Sequence, residues 1–406
     1  AMTPGSTPEQ KRASADKVKI AFIGIGNRGA QIIGDFERTQ QIDVVALCDV
    51  DLDGRQCQEV LAKFPKAKRF RDFRKMFDEA GNEFEAVAIA TPDHSHFPIS
   101  MLALAEGKHV FVEKPLARTF YEAELLMNAA KKRPNQVTQV GNQGHSEANY
   151  FQFKAWTEAG IIKDVTAITA HMNNARRWHG WDANIIKFPA GQQLPKDMDW
   201  DTWLGVNPYH DYNKDYHQGQ WRCWYDFGMG ALGDWGAHIL DTAHEFLELG
   251  LPYEVSMLYA NGHNDYFFPY SSTILFRFPQ RKGMPPVDVT WYDGLDNLPP
   301  IPEGYGVQGL DPNIPTTNQT NQPQAKLNPG KIIYSKDLTF KGGSHGSTLE
   351  IIPKEKAIEM ADKLPEVPKS PSNHYENFIR ACKGLEKTRS PFEINGVLSQ
   401  VFSLGV

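Results

Sequence analysis

The first residues in the chain whose types and spacing could do chemistry form a glycine-rich turn, Gly24-Ile25-Gly26-Asn27-Arg28-Gly29. The turn directly follows a β-branched run at 18–23 and opens a helical stretch from residue 30. In that setting the first glycine permits a tight turn, the second lets the backbone approach a pyrophosphate, and the third allows close packing of helix and strand. The helix N-terminus adds oriented N–H groups and partial positive charge. The sequence therefore predicts a dinucleotide site at Gly24, Gly26, Asn27, Arg28 and Gly29.

An acidic residue follows the second predicted strand, where the apolar run at 44–48 ends at Asp49. A carboxylate at this position accepts hydrogen bonds from the adenosine ribose hydroxyls and repels a 2′-phosphate, so the sequence favours NAD over NADP. Arg28 is an argument for NADP instead, because a guanidinium at the turn could hold a 2′-phosphate.

Two further motifs follow apolar runs, and the carboxyl ends of parallel strands form the ligand-binding edge of a sheet. The motifs are Thr91-Pro92-Asp93-His94-Ser95-His96 and Glu113-Lys114-Pro115. A surface Glu–Lys pair is worth little, but Pro115 fixes the chain direction immediately after the lysine, which is more constraint than a solvated lysine requires. We expect the cofactor to contact Thr91, Pro92, His96, Glu113 and Lys114 and, further along the chain, Asn142.

A carboxylate and an imidazole stand four residues apart in Gly233-Asp234-Trp235-Gly236-Ala237-His238. In a helix Asp234 and His238 share one face, and the sequence places Asp234 near the helix N-terminus, where the dipole favours an anion. Such a pair can serve as acid and base, since the carboxylate orients the imidazole or raises its basicity. One alternative is an N-cap aspartate with a core histidine. Another is a zinc site completed by His179 or His217, although no tight metal motif is present.

The elements that must position these residues fall into two groups. Up to about residue 145, strands at 18–23, 44–48, 86–90, 109–112 and 137–140 alternate with helices at 30–39, 54–63, 99–106 and 121–132. This alternation predicts a doubly wound parallel sheet covered on both faces.

The second group follows a different order. A helix at 148–159 and a strand at 165–172 precede a helix at 236–249, which is followed by strands at 254–260, 272–278, 287–292, 331–340 and 348–352 and by helices at 373–382 and 393–404. Strands that follow one another without intervening helices predict an α+β domain with an open, mainly antiparallel sheet.

The composition limits the classes of partner. The 406 residues are 41% hydrophobic and 23% charged, and their formal net charge is −6. A chain without a basic field is a poor partner for nucleic acid. No apolar run approaches the roughly 20 residues that cross a bilayer, so we expect no membrane span. The four cysteines lack the spacing of a disulfide framework, which leaves stability to a hydrophobic core.

Three stretches read as irregular. Residues 1–16 are polar and predict a flexible leader, which is compatible with a cytoplasmic protein or with a bacterial periplasmic one whose export signal has been removed. The run at 298–330 is rich in Pro, Asn and Gln and predicts a mobile loop. The last helical pattern stops at Val406 without a cap, and we therefore expect a truncated chain.

Together the motifs resemble a known family. The turn at 24–29, the segment from Thr91 to His96, Glu113-Lys114-Pro115-Leu116 and the segment from Gly233 to His238 occur in the order and spacing of the glucose-fructose oxidoreductase, inositol dehydrogenase and rhizopine-catabolism (Gfo/Idh/MocA) family. The resemblance implies a Rossmann domain at 17–145 that binds NAD(P). It also implies a substrate-binding α+β domain at 146–406 whose open sheet forms a homodimer or homotetramer.

What the resemblance implies about activity is an NAD-dependent oxidoreductase acting on a secondary hydroxyl, or a keto group, of a sugar, glycoside or cyclitol. Lys114 resembles the catalytic lysine of the family, and Asp234 and His238 resemble its acid/base pair. The same family contains redox-neutral glycosidases that use NAD transiently and binding-only sugar or NAD sensors, and both are alternatives here.

Tryptophan is concentrated in one region, where seven of the nine fall between Trp178 and Trp235. Ring faces interleaved with polar side chains suit the C–H faces and hydroxyls of a sugar. We expect the substrate to contact Lys114, Arg177, Trp178, His179, Trp181, Trp224, Asp234 and His238. Trp200 and Trp203, in a helical Asp-Trp-Asp-Thr-Trp turn, are expected to be core residues.

Overall fold

The computed structural model describes residues 16–173, 183–217, 219–262, 264–306 and 327–406. Its contacts divide the chain into two compact units. The first comprises the chain up to Gly141 with Pro189–Trp221 and Ser372–Gly396, and the second comprises Asn142–Phe188, Arg222–Pro371 and Val397–Val406. The sequence predicts a single break near residue 145, whereas two later segments join the first unit.

Several predicted features lie outside the described residues. They are the leader at 1–15, the side chains of Arg177, Trp178, His179 and Trp181, and residues 307–326 of the predicted loop. These assignments stay predictions.

The first unit is built on a six-stranded sheet in which the paired strands are parallel. Its strands are β1 (Val18–Ile23), β2 (Ile42–Cys48), β3 (Lys68–Phe70), β4 (Ala86–Ile89), β5 (His109–Val112) and β6 (Thr138–Val140). The order β3-β2-β1-β4-β5-β6 is that of the doubly wound dinucleotide-binding fold. Because both faces of such a sheet are covered, its central strands are continuously apolar, and all of β4 is buried. The predicted Rossmann sheet is confirmed.

The second unit contains a seven-stranded sheet. Its strands are β7 (Val165–Met172), β8 (Glu254–Asn261), β9 (Ser271–Phe278), β10 (Val287–Asp293), β11 (Gly330–Ser335), β12 (Thr339–Gly342) and β13 (Glu350–Ile352). The order is β13-β12-β11-β7-β10-β9-β8. Strands β7 and β10 pair in parallel and the other neighbours pair antiparallel. The predicted open, mainly antiparallel sheet is confirmed.

The α-helices of the described residues, in chain order, are α1 (Arg28–Arg38), α2 (Gln58–Lys63), α3 (Phe73–Ala80), α4 (His96–Ala105), α5 (Phe120–Lys131), α6 (Ala148–Glu158), α7 (Trp200–Leu204), α8 (Gly230–Ile239), α9 (Asp241–Phe246), α10 (Lys354–Met360), α11 (His374–Cys382) and α12 (Phe392–Gly405). Within the described ranges, no helix is both long and apolar enough to cross a membrane.

The structure differs from the sequence pattern at several elements. The run at 331–340 is a hairpin rather than one strand, because Ser335 N donates to Leu338 O at 2.9 Å and closes a turn between β11 and β12. The helix predicted at 236–249 is two helices, α8 and α9, and the first of them begins at Gly230. The sequence pattern also misses β3, α3 and α10. Strand β3 is a three-residue edge strand with two basic residues, which carries little apolar signal.

Candidate active site

The glycine turn between β1 and α1 leaves no room for a side chain at any of its three glycines unless a neighbouring atom moves. A Cβ on Gly29 would lie 2.0 Å from Gly24 O, and one on Gly24 would lie 2.6 Å from Ala90 O, at a φ of +81°. A Cβ on Gly26 would lie 2.4 Å from Cγ of Gln56. Helix α1 begins at Arg28, so its first N–H groups open onto this bare backbone. A cradle that a Cβ would fill, at a helix N-terminus, fits the pyrophosphate of a dinucleotide.

Asp49 follows β2 and is tied to the same turn. Its Oδ2 accepts a hydrogen bond from Ile25 N at 3.0 Å, and its Oδ1 accepts one from Asp51 N at 2.9 Å. A carboxylate oxygen can accept more than one hydrogen bond, so Asp49 can also serve as an acceptor of ribose hydroxyls. The donor set and its position fit the adenosine end of NAD.

Arg28 pairs with residues of its own unit. Its Nε lies 3.3 Å from Glu113 Oε1, and its second terminal nitrogen donates to Tyr375 Oη at 3.0 Å. Burial of the guanidinium opposes its charge, but Glu113 and Tyr375 outweigh that effect and raise the pKa of Arg28 above its ordinary value. The sequence considers Arg28 as a ligand of a 2′-phosphate, whereas the structure gives the guanidinium a carboxylate partner.

The side chain of His96 joins two backbone segments at the carboxyl edge of the sheet. Its Nδ1 lies 2.7 Å from Pro115 O and its Nε2 lies 2.8 Å from Thr91 O, so the imidazole bridges the segments after β4 and β5. The ring is buried, and burial lowers its pKa. The sequence assigns His96 and Thr91 to the cofactor, and the structure gives His96 a holding role next to Lys114.

Lys114 directly follows β5 and is partly exposed, between buried Glu113 and buried Pro115. The Lys114–Pro115 peptide bond is cis. A Cβ on Gly141 would lie 2.8 Å from the carboxyl group of Glu113. Lys114 therefore lies at the carboxyl edge of the sheet, between closely packed neighbours. Pro92 follows β4 at the same edge, and the sequence predicts this position for both residues.

Asp234 and His238 lie on one face of α8, and both are buried. The predicted position of Asp234 at the helix N-terminus is wrong, because it is the fifth residue of a helix whose N-cap is Met229. The helix dipole acts mainly within the first turn. The charge that balances Asp234 comes instead from Arg222, whose Nε lies 3.4 Å from Asp234 Oδ1.

Other parts of the second unit contact α8. Asn142, which the sequence assigns to the cofactor, donates from Nδ2 to Ala237 O at 2.6 Å, and its Oδ1 is buried without a hydrogen-bond partner among the described residues. The imidazole of His345 stacks on that of His238, with ring centroids 3.8 Å apart. The sequence reasoning missed His345, although the run Gly342-Gly343-Ser344-His345-Gly346-Ser347 is a visible glycine-rich signal.

A buried charged network adjoins α8 in the second unit. His145 Nδ1 lies 3.0 Å from Asp241 Oδ2, and its Nε2 lies 2.8 Å from Glu245 Oε2. Burial opposes the imidazolium, but the two carboxylates prevail and raise the pKa of His145 to about 10. Lys331 is buried on β11, and burial lowers its pKa to about 8 although Asp241 opposes the shift.

All seven tryptophans among the described residues are buried. Trp224, which the sequence assigns to the substrate, is fully buried, with Phe188 and Phe267 at centroid distances of 5.8 and 5.6 Å. Its ring offers no face to a sugar, so that assignment is wrong. Trp200 and Trp203 stack at 4.7 Å and are buried, which confirms the core role expected of them.

The chain matches two sequence profiles of one family. The profile described as oxidoreductase family, NAD-binding Rossmann fold, matches residues 18–141. The profile described as oxidoreductase family, C-terminal alpha/beta domain, matches residues 157–272.

Curated relatives are similar over part of their length. Inositol 2-dehydrogenase from Salmonella typhimurium is 28% identical over 160 residues, which is 39% of this chain and 46% of the relative. Inositol 2-dehydrogenase/D-chiro-inositol 3-dehydrogenase from Lactiplantibacillus plantarum is 28% identical over 200 residues, 48% of this chain and 55% of the relative. A glycosyl hydrolase family 109 protein from Streptomyces niveus is 28% identical over 196 residues, 46% and 38% of the two chains. The matched region thus spans about half the length of these relatives or less.

Solved structures share the fold over nearly the whole chain. An NAD-binding protein from Listeria innocua has a TM-score of 0.58 at 18% identity and covers 96% of this chain and 93% of its own. The WlbA dehydrogenase from Bordetella pertussis, in complex with NADH and UDP-GlcNAcA, has a TM-score of 0.59 at 14% identity, with 94% and 93% covered. With both profiles matched, the chain belongs to the Gfo/Idh/MocA oxidoreductase family and carries its NAD-binding Rossmann fold.

Proposed function

We propose that this protein is an NAD-dependent dehydrogenase that oxidises a secondary hydroxyl, or reduces the corresponding keto group, of a sugar, glycoside or cyclitol. The observation that carries the proposal is the pair of Asp234 and His238 on one buried face of α8, with Arg222 against the carboxylate. A carboxylate and an imidazole so arranged suit proton transfer to and from a hydroxyl.

Three side chains have distinct roles in this proposal. In the oxidative direction His238 takes the hydroxyl proton, and Asp234 orients the imidazole and favours its protonated form. The ammonium group of Lys114 donates a hydrogen bond to the substrate oxygen and stabilises the negative charge that develops there. NAD, when bound, would supply the acceptor for the hydride that leaves the carbon carrying the hydroxyl. The carbon–hydrogen and oxygen–hydrogen bonds break, and a carbonyl group forms.

The residues that would hold the cofactor belong to the first unit. The N-terminus of α1 and the bare backbone of the glycine turn would bind the pyrophosphate. Asp49 would accept hydrogen bonds from the adenosine ribose, and its charge would disfavour a 2′-phosphate. The pairing of Arg28 with Glu113 supports the same preference, because a guanidinium that already has a carboxylate partner is a weaker phosphate ligand.

The names of similar proteins, and the ligands of a similar structure, support a carbohydrate or cyclitol substrate. Two relatives are named inositol dehydrogenases, and a similar structure holds UDP-GlcNAcA with NADH. A redox-neutral glycosidase that uses NAD transiently is the second candidate, favoured by the similarity to a glycosyl hydrolase family 109 protein.

One experiment separates the two candidates from a binding-only sensor. The protein is incubated with NAD and a panel of cyclitols, free pyranoses and aryl glycosides, while NADH absorbance and released sugar are followed together. NADH that accumulates with substrate supports the dehydrogenase. Sugar release without net NADH supports the glycosidase, and binding without either signal would overturn both.

The variant Lys114→Ala tests the proposed mechanism. We expect kcat to fall by about 10²–10⁴-fold, because the developing oxyanion loses its only assigned cation. The Kd for NADH, measured by fluorescence titration, should change by less than about threefold. Lys132→Ala, at an exposed position of the same unit, is the matched control and should behave as the wild type. Full turnover by Lys114→Ala would contradict the assignment.

We also propose that the sheet of the second unit forms a homo-oligomer, a dimer or tetramer. Strand β8 lies at the edge of that sheet. Its residues Met257, Leu258 and Tyr259 are 55%, 57% and 45% exposed. Adjacent exposed apolar side chains on an edge strand are typical of a surface that another chain covers.

A further inference from the structure

The segment between β12 and β13 contacts α8 through an imidazole that the proposed mechanism does not use. Strand β12 ends at Gly342, and the chain continues as Gly343-Ser344-His345-Gly346-Ser347 before β13 begins at Glu350. We call residues 342–347 the glycine–histidine segment. Its histidine is partly exposed, whereas His238 beneath it is buried.

The two imidazoles are in direct face-to-face contact. The ring centroids of His238 and His345 are 3.8 Å apart, and their planes are inclined by 19°. Trp235 meets His345 edge-on, with centroids 5.4 Å apart and an angle of 83°. Stacking on one side and an edge contact on another restrict rotation of the His345 ring.

The backbone of the segment is shaped to present this ring. His345 has a φ of +52°, a left-handed conformation that glycine adopts more easily than histidine. A residue with a side chain in that conformation is retained at a conformational cost, which is common at functional sites. Ser344 Oγ lies 3.0 Å from His345 Nδ1 and orients the imidazole.

Close packing from the rest of the unit holds the segment in place. A Cβ on Gly144 would lie 3.0 Å from His345 O, and one on Gly346 would lie 1.7 Å from Glu147 Oε2. Buried Lys331 donates from Nζ to Gly343 O at 3.4 Å. The segment is thus fixed on both sides of the histidine, and His345 has little freedom to leave His238.

We propose that His345 is a positioning residue for the acid/base imidazole of His238, and that the glycine–histidine segment is part of the catalytic site. The stack fixes the plane of the His238 ring and therefore the direction in which its nitrogen meets the substrate hydroxyl. Proton transfer depends steeply on that direction, since misplacement by about 1 Å can cost about 100-fold in rate. This inference rests on the proposed dehydrogenase function.

Two substitutions separate stacking from backbone effects. His345→Asn removes the ring but keeps a residue that tolerates the left-handed conformation. His345→Phe restores an aromatic face without a ring nitrogen. We expect kcat to fall by about 10- to 100-fold in His345→Asn and to recover to within about fivefold of the wild type in His345→Phe. The exposed neighbour Thr348, changed to alanine, is the matched control.

Three measurements complete the test. The Kd for NADH and the melting temperature of His345→Asn should stay near wild-type values, so that a loss of kcat reports positioning. In protein labelled with ¹³C-histidine and free of ligand, the His238 ring resonance, assigned by its loss in His238→Gln, should shift in His345→Asn. It should return toward the wild-type position in His345→Phe, because the ring current is restored.

The outcomes separate the two proposals. A wild-type protein without dehydrogenase turnover overturns the proposed function and the role of His345 with it. Wild-type turnover with an unchanged kcat in His345→Asn overturns the role of His345 alone. A His345→Phe variant as impaired as His345→Asn overturns positioning by stacking, and an unmoved His238 resonance overturns the contact.

Discussion

The glycine turn of the first unit and helix α8 of the second carry the two parts of the proposed chemistry, and they are held in different ways. Backbone atoms of neighbouring strands fix the turn, as where Gly24 N donates to Cys48 O at 2.8 Å. Side chains from distant segments contact α8, among them Asn142, Arg222 and His345. A site shaped by backbone is vulnerable mainly at its glycines, whereas a site held by side chains depends on residues that no local motif contains.

Among the variants that test this comparison, the largest expected effect is at the backbone-shaped site. In Gly29→Val the new Cβ would lie 2.0 Å from Gly24 O and 2.7 Å from Gly24 C, and backbone atoms cannot yield as a flexible side chain does. The turn must open, and the N–H groups at the start of α1 move away from the pyrophosphate. Loss of two charge-assisted hydrogen bonds, at about 1.5–3 kcal/mol each, weakens NAD binding by about 100-fold or more. Isothermal titration calorimetry measures the Kd for NAD in the wild type and in Gly29→Val.

The control for Gly29→Val lies in the same helix. A Cβ on Gly34 would meet only the terminal NH1 nitrogen of Arg38, at 3.5 Å. Gly34→Ala should therefore keep NAD affinity and raise the free energy of unfolding by up to about 1 kcal/mol. Gly29→Ala, with a smaller clash, should lie between Gly34→Ala and Gly29→Val in affinity. Wild-type NAD binding by Gly29→Val would remove the turn from the cofactor site.

The backbone-shaped part is also the part that could be predicted from the sequence. Strand, glycine turn and helix occupy 21 consecutive residues from Val18 to Arg38, and each has its own periodicity or residue signal. Asp49 follows the next strand directly. All of this information is local in the chain, so the sheet order and the nature of the cofactor could be inferred without a structure.

The sequence indicates the start of helix α8 less accurately, because the glycines at 230, 233 and 236 are residues typical of a turn. Gly236 allows close packing of this helix, since a Cβ there would lie 3.0 Å from the ring of Phe402 on α12. The sequence pattern therefore starts the helix six residues late and misplaces Asp234. His345 could not be paired with His238 from sequence, because 107 residues separate them and only the fold joins the two segments.

The same reasoning explains the error at Trp224. A tryptophan among polar residues reads equally well as a sugar platform or as core, and composition cannot decide between the two. Its enclosure by Phe188 and Phe267 depends on chain segments 36 and 43 residues away. Burial is a tertiary property, and among the tryptophans the sequence indicates it for Trp200 and Trp203 because they share one helical turn.

A second prediction tests the side-chain-held site. Arg222→Gln removes the cation 3.4 Å from Asp234 and leaves a buried carboxylate without that partner. We expect kcat to fall by about tenfold, less than the 10²–10⁴-fold of a direct acid/base group, because Arg222 acts through Asp234. Steady-state kinetics measures this, and the Kd for NADH should stay within about twofold. Arg222→Lys should recover part of the activity.

The matched control for Arg222→Gln is Arg277→Gln in the same unit. Arg277 pairs with Glu254 on the sheet edge, and both side chains are exposed. Surface pairs of this kind contribute about 0–1 kcal/mol, so kcat and stability should hardly change. An equal loss of kcat in the two variants would mean that Arg222 has no special role at Asp234.

The smallest expected effect concerns the charged network next to α8, and it appears as a pH dependence. Carboxylates of Asp241 and Glu245 raise the pKa of His145 to about 10 against the opposing effect of burial. The ion-pair stabilisation is complete below the ordinary histidine pKa of about 6.5 and is lost as the pH rises toward 10. Lys331 has the opposite effect on the free energy of unfolding. Burial lowers its pKa to about 8, so this group makes stability rise with pH, mainly above pH 8.

Between pH 6.5 and 8 the unfolded chain releases a proton that the folded protein keeps on His145, which by itself lowers the free energy of unfolding by roughly 1.5 kcal/mol. Other buried or half-buried histidines have a lowered pKa and oppose this change, because the unfolded chain is still partly protonated at pH 6.5: His96, His109, His171, His217 and His244. Those histidines are common to the wild type and to His145→Gln, so the difference between the two proteins isolates the contribution of His145. His145→Gln should be less stable than the wild type at pH 6.5, and this difference should shrink by roughly 1.5 kcal/mol by pH 8, which urea unfolding at the two pH values measures. A difference that stays constant between the two pH values would contradict the assignment, and α8 would then stand without this electrostatic support.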